Sequence, residues 1–182
     1  MDIFSMHNLL EFAETKSIIQ GGVYMPIQLS QKERMFLQDL SHHEQLCVQK
    51  YNKYSNEAQE PQLKQLFQTH SSHEQQHFNT INQILSGQAP SMNQGQSMQS
   101  QSQQGMSGMQ TQAGGAFNQN DAELANDMLS TEKYISSTYD TAIFEFQDTN
   151  VRQTLNHIQS EEQKHGEDLF NYMKSHGMYN VQ

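Results

Sequence analysis

One polar pattern occurs twice in this 182-residue chain, and its two copies are 88 residues apart. In each copy a Glu is followed thirty residues later by a second Glu, and three residues after that by a His. The six residues are Glu44, Glu74 and His77, then Glu132, Glu162 and His165. Because an i, i+3 spacing places two side chains on one helical face, each Glu and its His can reach one metal ion. Two Glu and two Glu-x-x-His pairs are the ligand set with which four-helix bundles bind two iron or manganese ions.

Apolar spacing predicts two helices around the first copy of the pattern. The first helix covers residues 31–57, and Ser30 with Glu33 forms a capping box at its start. Pro61 suits the first turn of the second helix, and Gly87 is a natural stop for it. These two helices make a hairpin.

A second predicted hairpin surrounds the second copy. Its first helix is expected to begin after Asn120, which has Glu123 as a partner three residues on. The stretch Asp148-Thr149-Asn150 then breaks the apolar pattern and supplies good N-cap residues. The last helix follows this break and ends near Gly177. Four amphipathic helices are the predicted result.

Both predicted turns lie midway between the two Glu residues of their copy. The midpoint of 44 and 74 is 59, and the midpoint of 132 and 162 is 147. Folding each hairpin therefore brings its two Glu residues level with each other near mid-helix. All four apolar stripes are interrupted by Glu at this depth. Four unpaired buried carboxylates would be severely destabilising, whereas two divalent cations would compensate them.

The predicted cofactor is thus a pair of divalent ions, iron or manganese, with zinc also compatible with nitrogen and oxygen ligands. The alternative is that these Glu residues are solvated at the edge of the stripe and the histidines are ordinary polar neighbours. Tyr51 and Tyr139 lie two turns beyond the first Glu of their copy. Each is either a second-sphere hydrogen-bond donor to a ligating carboxylate or a core aromatic.

Three further residues are considered and left out of the predicted site. His70 and His73 lie close to the ligands in sequence but have no counterparts, since Ile158 and Glu161 occupy the equivalent positions. Cys47, one turn from the first Glu, is predicted to be a small core residue.

Residues 87–120 contain no Lys, Arg, Asp or Glu and are dominated by Gln, Ser, Gly and Met. Such a segment buries too little apolar surface to offset its ordering entropy, so it predicts a flexible linker. A coil of this length spans about 32 Å, close to the ~39 Å of a 26-residue helix. The predicted map is an N-terminal arm, 1–29, with room for a short helix, and a bundle over 30–182. Within the bundle, the hairpins cover 30–86 and 121–177.

Charge and composition exclude several function classes. The net charge is -10 at pH 7, and no Lys/Arg cluster offsets it, which argues against binding to nucleic acid. No apolar run is long enough for a membrane span, and acidic residues near the N-terminus do not suit a secretory signal. A single Cys excludes an internal disulfide framework and fits a reducing compartment. These features predict a soluble intracellular protein.

The ligand pattern resembles that of the ferritin-like superfamily, which includes ferritins, bacterioferritins, rubrerythrins and manganese catalases. Residues 30–182 are more specifically similar to the spore coat protein F family of endospore-forming Firmicutes. Three stretches carry this likeness: Glu132-Lys133-Tyr134, Glu161-Glu162-Gln163-Lys164-His165 and the ending His176-Gly177-Met178-Tyr179-Asn180-Val181-Gln182.

The resemblance implies a ferritin-like bundle in which the six residues of the repeated pattern are the metal ligands. It also implies a coat component that is made in the mother-cell cytoplasm, laid down on the forespore, and associated with other coat proteins or with itself. One departure from rubrerythrins is Ile135, which stands where they carry an extra Glu, and rubredoxin-like Cys pairs are absent from the sequence. A peroxidase with its own electron-transfer centre is therefore disfavoured.

Three functions remain open on this reading. The first is a structural coat protein in which two metal ions stabilise the fold. The second is a di-iron or di-manganese oxidase, peroxidase or catalase-like enzyme that acts on peroxide or O2. The third is iron handling in a ferritin-like cage. It fits poorly with the long flexible linker predicted at residues 87–120.

Overall fold

The protein is an all-α bundle of two helical hairpins, in a computed structural model that describes residues 26–88 and 118–179. Its helices are α1 (Gln31–Glu57), α2 (Pro61–Leu85), α3 (Gln119–Ile143) and α4 (Thr149–Ser175). The predicted fold class of two hairpins is confirmed. The arm up to residue 25 and residues 89–117 of the predicted linker lie outside the described residues, so the domain bounds stay predictions.

Capping residues set the ends of the first hairpin as the sequence predicts. The Ser30 hydroxyl accepts from the Glu33 backbone N–H at 3.2 Å, and the Glu33 carboxylate accepts from the Ser30 N–H at 2.7 Å. Glu60 caps α2 by accepting from the Leu63 N–H at 2.8 Å, with Pro61 in the first turn. Gly87 follows α2 with a φ of +83°, a conformation that glycine adopts without a steric penalty.

The predicted start of α3 is wrong by two residues. Its cap is Asn118, whose side-chain oxygen accepts from the Asp121 N–H at 3.0 Å. Asn120 instead lies in the first turn, and its amide points to the Glu57 carbonyl at 3.4 Å. Both Asn118 and Asn120 are followed three residues later by an acidic residue, so either could be the helix cap. Burial of Asp121 against the other hairpin favours Asn118 as the cap.

Each hairpin loop is hydrogen-bonded to one buried carboxylate of the other hairpin. Glu33 of α1 accepts from the Gln147 N–H in the α3–α4 loop at 2.8 Å. Asp121 of α3 accepts from the N–H groups of Gln59 and Glu60 in the α1–α2 loop, both at 2.9 Å. Positions 33 and 121 differ by 88, and so do positions 59 and 147. The internal repeat therefore extends from the ligands to both ends of the bundle.

The two hairpins pack with a long connection between them. Arg34 near the start of α1 donates to the Leu85 carbonyl at the end of α2, at 3.1 Å. At the opposite end, Asn118 before α3 donates to the Gln59 side chain at 2.9 Å. Residues 88 and 118 therefore lie at opposite ends of the bundle.

The core is apolar above and below a polar layer at mid-bundle. Its fully buried side chains include Leu40, Phe67, Met128 and Leu155, and Cys47 is buried as predicted. None of the helices in residues 26–88 and 118–179 has the length and apolar character that a bilayer crossing requires.

Candidate metal centre

The polar layer is made of the six residues of the repeated pattern, each no more than 3 % exposed. They form two groups that share Glu74 and Glu162. Glu44 and His77 complete the first group, and Glu132 and His165 complete the second. Within each group the candidate ligand atoms all lie within 4.8 Å of one another. The structure thus brings together every predicted ligand; metal binding itself stays a prediction.

Both imidazoles turn their Nδ1 atoms toward the shared carboxylates. His77 Nδ1 lies 2.8 Å from Glu162 Oε1, and His165 Nδ1 lies 2.8 Å from Glu74 Oε1. The distances to the Glu one turn earlier on the same helix are 3.6 Å and 3.5 Å. The near-equality of these distances shows that the ligand set obeys the internal twofold relation.

Unpartnered atoms are concentrated at this layer. In the described part of the chain ten buried side-chain nitrogen and oxygen atoms lack a hydrogen-bond partner, and eight of them belong to the six residues. These atoms are Glu44 Oε2, both oxygens of Glu74, His77 Nδ1, Glu132 Oε2, both oxygens of Glu162 and His165 Nδ1. The two 2.8 Å contacts place each Nδ1 in ion-pair contact with a shared carboxylate. Because buried polar atoms are normally hydrogen-bonded, this set of six oxygens and two nitrogens fits two divalent cations.

The two predicted tyrosines each hold one of the unshared carboxylates. The Tyr139 hydroxyl of α3 donates to Glu44 Oε1 of α1, and the Tyr51 hydroxyl of α1 donates to Glu132 Oε1 of α3. Each tyrosine therefore contacts the Glu of the opposite hairpin. One oxygen of each Glu is fixed by a hydroxyl, while its other oxygen stays free.

Burial governs the protonation of the two unshared carboxyls. It raises the pKa of Glu44 well above its ordinary value, and the Glu162 charge raises it further. Burial likewise raises the pKa of Glu132, with added repulsion from Glu74. Burial therefore favours the neutral form of both carboxyls in the metal-free protein.

Contacts between opposite charges govern the imidazoles and the shared carboxyls. Burial alone would lower the pKa of His165, but close contacts of its Nδ1 with Glu162 and Glu74 raise it to about 9. Burial opposes charge on His77 too, but the Glu162 charge together with the contacts to Glu161 and Glu44 outweighs it, so the pKa of His77 is well above its ordinary value. Burial would raise the pKa values of Glu74 and Glu162, but the two histidines hold both below the ordinary value. The metal-free layer thus carries two imidazolium charges opposite two carboxylates.

The structure adds residues that the sequence analysis left out. Glu161 Oε2 contacts the outward Nε2 of His77 at 2.9 Å, and His73 Nδ1 contacts the outward Nε2 of His165 at 3.1 Å. Positions 73 and 161 differ by 88, so the two residues occupy the same place in the two halves. Our requirement for identical counterparts excluded them, although each lies four residues before a ligand histidine and hence on its face. His70, also left out, stacks on His165 with ring centroids 4.3 Å apart.

A groove between α3 and α4 reaches the polar layer. Its volume is about 650 Å³, and the buried residues Glu132 and Glu162 line it. Gly166 also lines the groove; a Cβ at this position would lie 3.8 Å from Leu129 Cδ1 and 3.9 Å from Glu132 Cβ. The equivalent position in the first hairpin is Phe78. The groove therefore lies beside one half of a layer whose two halves are related by the internal repeat.

Comparison with known proteins gives the family. The model of the Coat F domain matches residues 120–182, which include both helices of the second hairpin. The protein YusN of Bacillus subtilis (strain 168) is 34 % identical over 82 residues, which is 45 % of this chain and 74 % of that protein. The chain belongs to the Coat F family. This confirms the resemblance to spore coat protein F, while the wider likeness to the ferritin-like superfamily stays a prediction. No solved structure matches the chain.

Proposed function

We propose that this Coat F protein is a component of the spore coat whose helical bundle binds two divalent metal ions. Family membership supports the coat role. The eight unpartnered buried atoms at mid-bundle are the observation that carries the metal site. Their nitrogen and oxygen chemistry suits iron or manganese, and zinc is compatible.

The ligand set divides between the two ions by the groups in which the residues lie. Glu74 and Glu162 belong to both groups and would be shared, whereas Glu44 with His77 and Glu132 with His165 would each serve one ion. Ions that bind only the folded chain stabilise it by mass action. Bound iron or manganese would also supply Lewis-acid or redox chemistry at the shared carboxylates.

Charge balance supports the same assignment. The raised pKa values of Glu44, Glu132, His77 and His165 favour one proton on each in the metal-free layer, and four bound protons bring four positive charges. Two divalent cations carry the same total charge. Exchange of four protons for two ions therefore leaves the buried charge unchanged and avoids the cost of burying net charge.

Metal analysis of purified protein tests the site. Wild-type chain purified without added metal should hold about two ions, as such ligand sets do. The double variant Glu74→Gln/Glu162→Gln keeps the side-chain volumes but removes both shared charges, and it should hold none. Glu57→Gln on exposed α1 surface is the matched control and should match wild type. Circular dichroism confirms that all three are folded, and unchanged metal content in the double variant would remove both residues as ligands.

Extraction of mature spores tests the coat role. The expected location is the mother-cell cytoplasm during synthesis and the coat fraction afterwards, in association with other coat proteins or with further copies of this chain. Recovery in the coat fraction supports the proposal. Presence in vegetative cytosol alone would contradict it.

A second candidate, a dinuclear-metal oxidoreductase, is favoured by the α3–α4 groove. Ions with a purely structural role need no opening to solvent, whereas an enzyme that acts on peroxide or O2 does. Metal-loaded wild type should be assayed for peroxide breakdown and ferroxidase turnover beside Glu44→Gln. Faster turnover in wild type supports the enzyme, and equal rates would leave the ions a structural role.

A further inference from the structure

We infer that the two metal positions are inequivalent. The position at Glu132 and His165 lies beside the α3–α4 groove and exchanges its ion more readily. The position at Glu44 and His77 retains its ion longer. This inference rests on the proposed dinuclear site, and it assigns Glu161 and Gly166 the roles that separate the two positions.

The first reason is the partner behind each ligand histidine. The outward Nε2 of His77 faces a carboxylate, Glu161, at 2.9 Å. The outward Nε2 of His165 faces an imidazole, His73, at 3.1 Å. A carboxylate that accepts the outward N–H fixes the ring and makes the other nitrogen a stronger ligand. An imidazole acceptor carries no negative charge and does this less, so the His77 position should bind more tightly.

The second reason is access. The α3–α4 groove is lined by the ligands Glu132 and Glu162, and Gly166 leaves space beside them. Ser136 and Asp140 are also among its lining residues and supply polar groups that water and hydrated ions can contact. In the first hairpin a half-buried Phe78 stands at the position equivalent to Gly166. The first hairpin therefore carries an aromatic ring at the position where the second has only a hydrogen atom.

Ion release from the loaded protein tests the inference. Protein loaded with Mn²⁺ is mixed with excess chelator, and released metal is followed over time. Wild type should lose its ions in two phases of equal amplitude, one fast and one slow. Gly166→Phe, which copies the first hairpin, should slow the fast phase toward the slow one. Gly166→Ala is the control, because its Cβ makes ordinary contacts at 3.8 Å and 3.9 Å, and it should release its ions as wild type does.

Two variants at partly exposed positions address the tight position without filling the core. Glu161→Gln removes the carboxylate behind His77 and should speed the slow phase about tenfold or more, the usual cost of losing such a partner. His73→Glu supplies the missing carboxylate behind His165 and should slow the fast phase. In each variant the other phase should stay at its wild-type rate.

The outcomes separate this inference from the proposed function. Release of both ions from wild type in one phase would overturn the inequivalence. So would a Gly166→Phe variant that is folded, fully loaded and unchanged in both rates. Failure of wild type to hold any ion would instead refute the dinuclear site itself.

Discussion

The two hairpins present the same ligands in different surroundings. Each supplies one Glu from its first helix, a Glu-x-x-His pair from its second, and a Tyr that crosses to the other hairpin. Around these ligands the first hairpin has His70, His73 and Phe78, where the second has Ile158, Glu161 and Gly166. The geometry of the six residues therefore follows the twofold relation, whereas the proposed differences in access and ligand strength come from the surroundings in each half.

The largest expected effect comes from removing one unshared carboxylate at a time. Glu44→Gln and Glu132→Gln should each lower the metal content from two ions to one, because each residue serves only one group. The ion that remains should be the fast-exchanging one in Glu44→Gln and the slow one in Glu132→Gln. Elemental analysis and chelator-driven release measure both. Identical release rates in the two variants would mean that the hairpins are equivalent at the site.

Proton release compares the two positions directly. Each position has one carboxyl and one imidazole whose pKa is raised, which favours a bound proton on each in the metal-free protein. Since ligands bind metal in their deprotonated form, each ion should release about two protons, and metal affinity should fall as the pH falls. A pH indicator in weak buffer measures the release during titration with Zn²⁺. Less than one proton per ion would contradict the assigned protonation states.

Substitutions of Glu33 and Asp121 compare how much each loop contact between the hairpins contributes to the free energy of unfolding. Each buried carboxylate accepts backbone N–H groups from the opposite loop, and loss of hydrogen bonds to a charged acceptor costs about 1.5–3 kcal/mol. Glu33→Ala and Asp121→Ala should lower the free energy of unfolding by that amount in urea titrations. Exposed Glu123→Ala is the control and should change it little. A loss confined to one variant would show that a single loop contact dominates.

The two tyrosines that cross to the other hairpin should differ slightly in their contribution to stability. Tyr51→Phe and Tyr139→Phe each leave a buried carboxyl oxygen without its donor, at a cost of about 1–3 kcal/mol. The Tyr51→Phe substitution should destabilise the protein more, because the Tyr51 hydroxyl also lies 3.2 Å from His70 Nδ1. At the position equivalent to His70, Tyr139 has only Ile158. Thermal unfolding of metal-free protein measures the difference. Equal costs would show that the His70 contact adds nothing.

The smallest effect distinguishes the two Asn residues at the start of α3. Asn118→Ala should cost about 1 kcal/mol, because it removes the cap of the Asp121 N–H. Asn120→Ala should cost less, since its contact with the Glu57 carbonyl is exposed and 3.4 Å long. Urea titration measures both losses. A larger loss in Asn120→Ala would show that Asn120 caps α3, as the sequence predicted.

Local patterns explain why most of the fold was predictable. Helical periodicity, the Ser30 capping box and the Gly87 stop depend on residues within a few positions, and the equal thirty-residue spacings fix which Glu residues come level. The start of α3 was mispredicted because Asn118 and Asn120 offer similar local signals, and a contact of Asp121 with the other hairpin decides between them.

The surroundings of the ligands were not predictable in the same way. The contact between Glu161 and His77 joins α4 to α2, and no spacing within one helix specifies it. The repeat itself pointed to positions 73 and 161, but the chemistry there differs, so a search for identical residues passed over them. Gly166 likewise gave no sequence signal until its neighbours across the groove were known.

The fusion of both halves in one chain has a consequence for how such a site can change. In a symmetric dimer of identical hairpins, any substitution appears on both sides of the ions at once. Here Glu161 can differ from His73, and Gly166 from Phe78, because each half is encoded separately. One half can therefore keep the fold and hold its ion tightly while the other half acquires exposure to solvent. Identical subunits cannot acquire this difference by mutation alone.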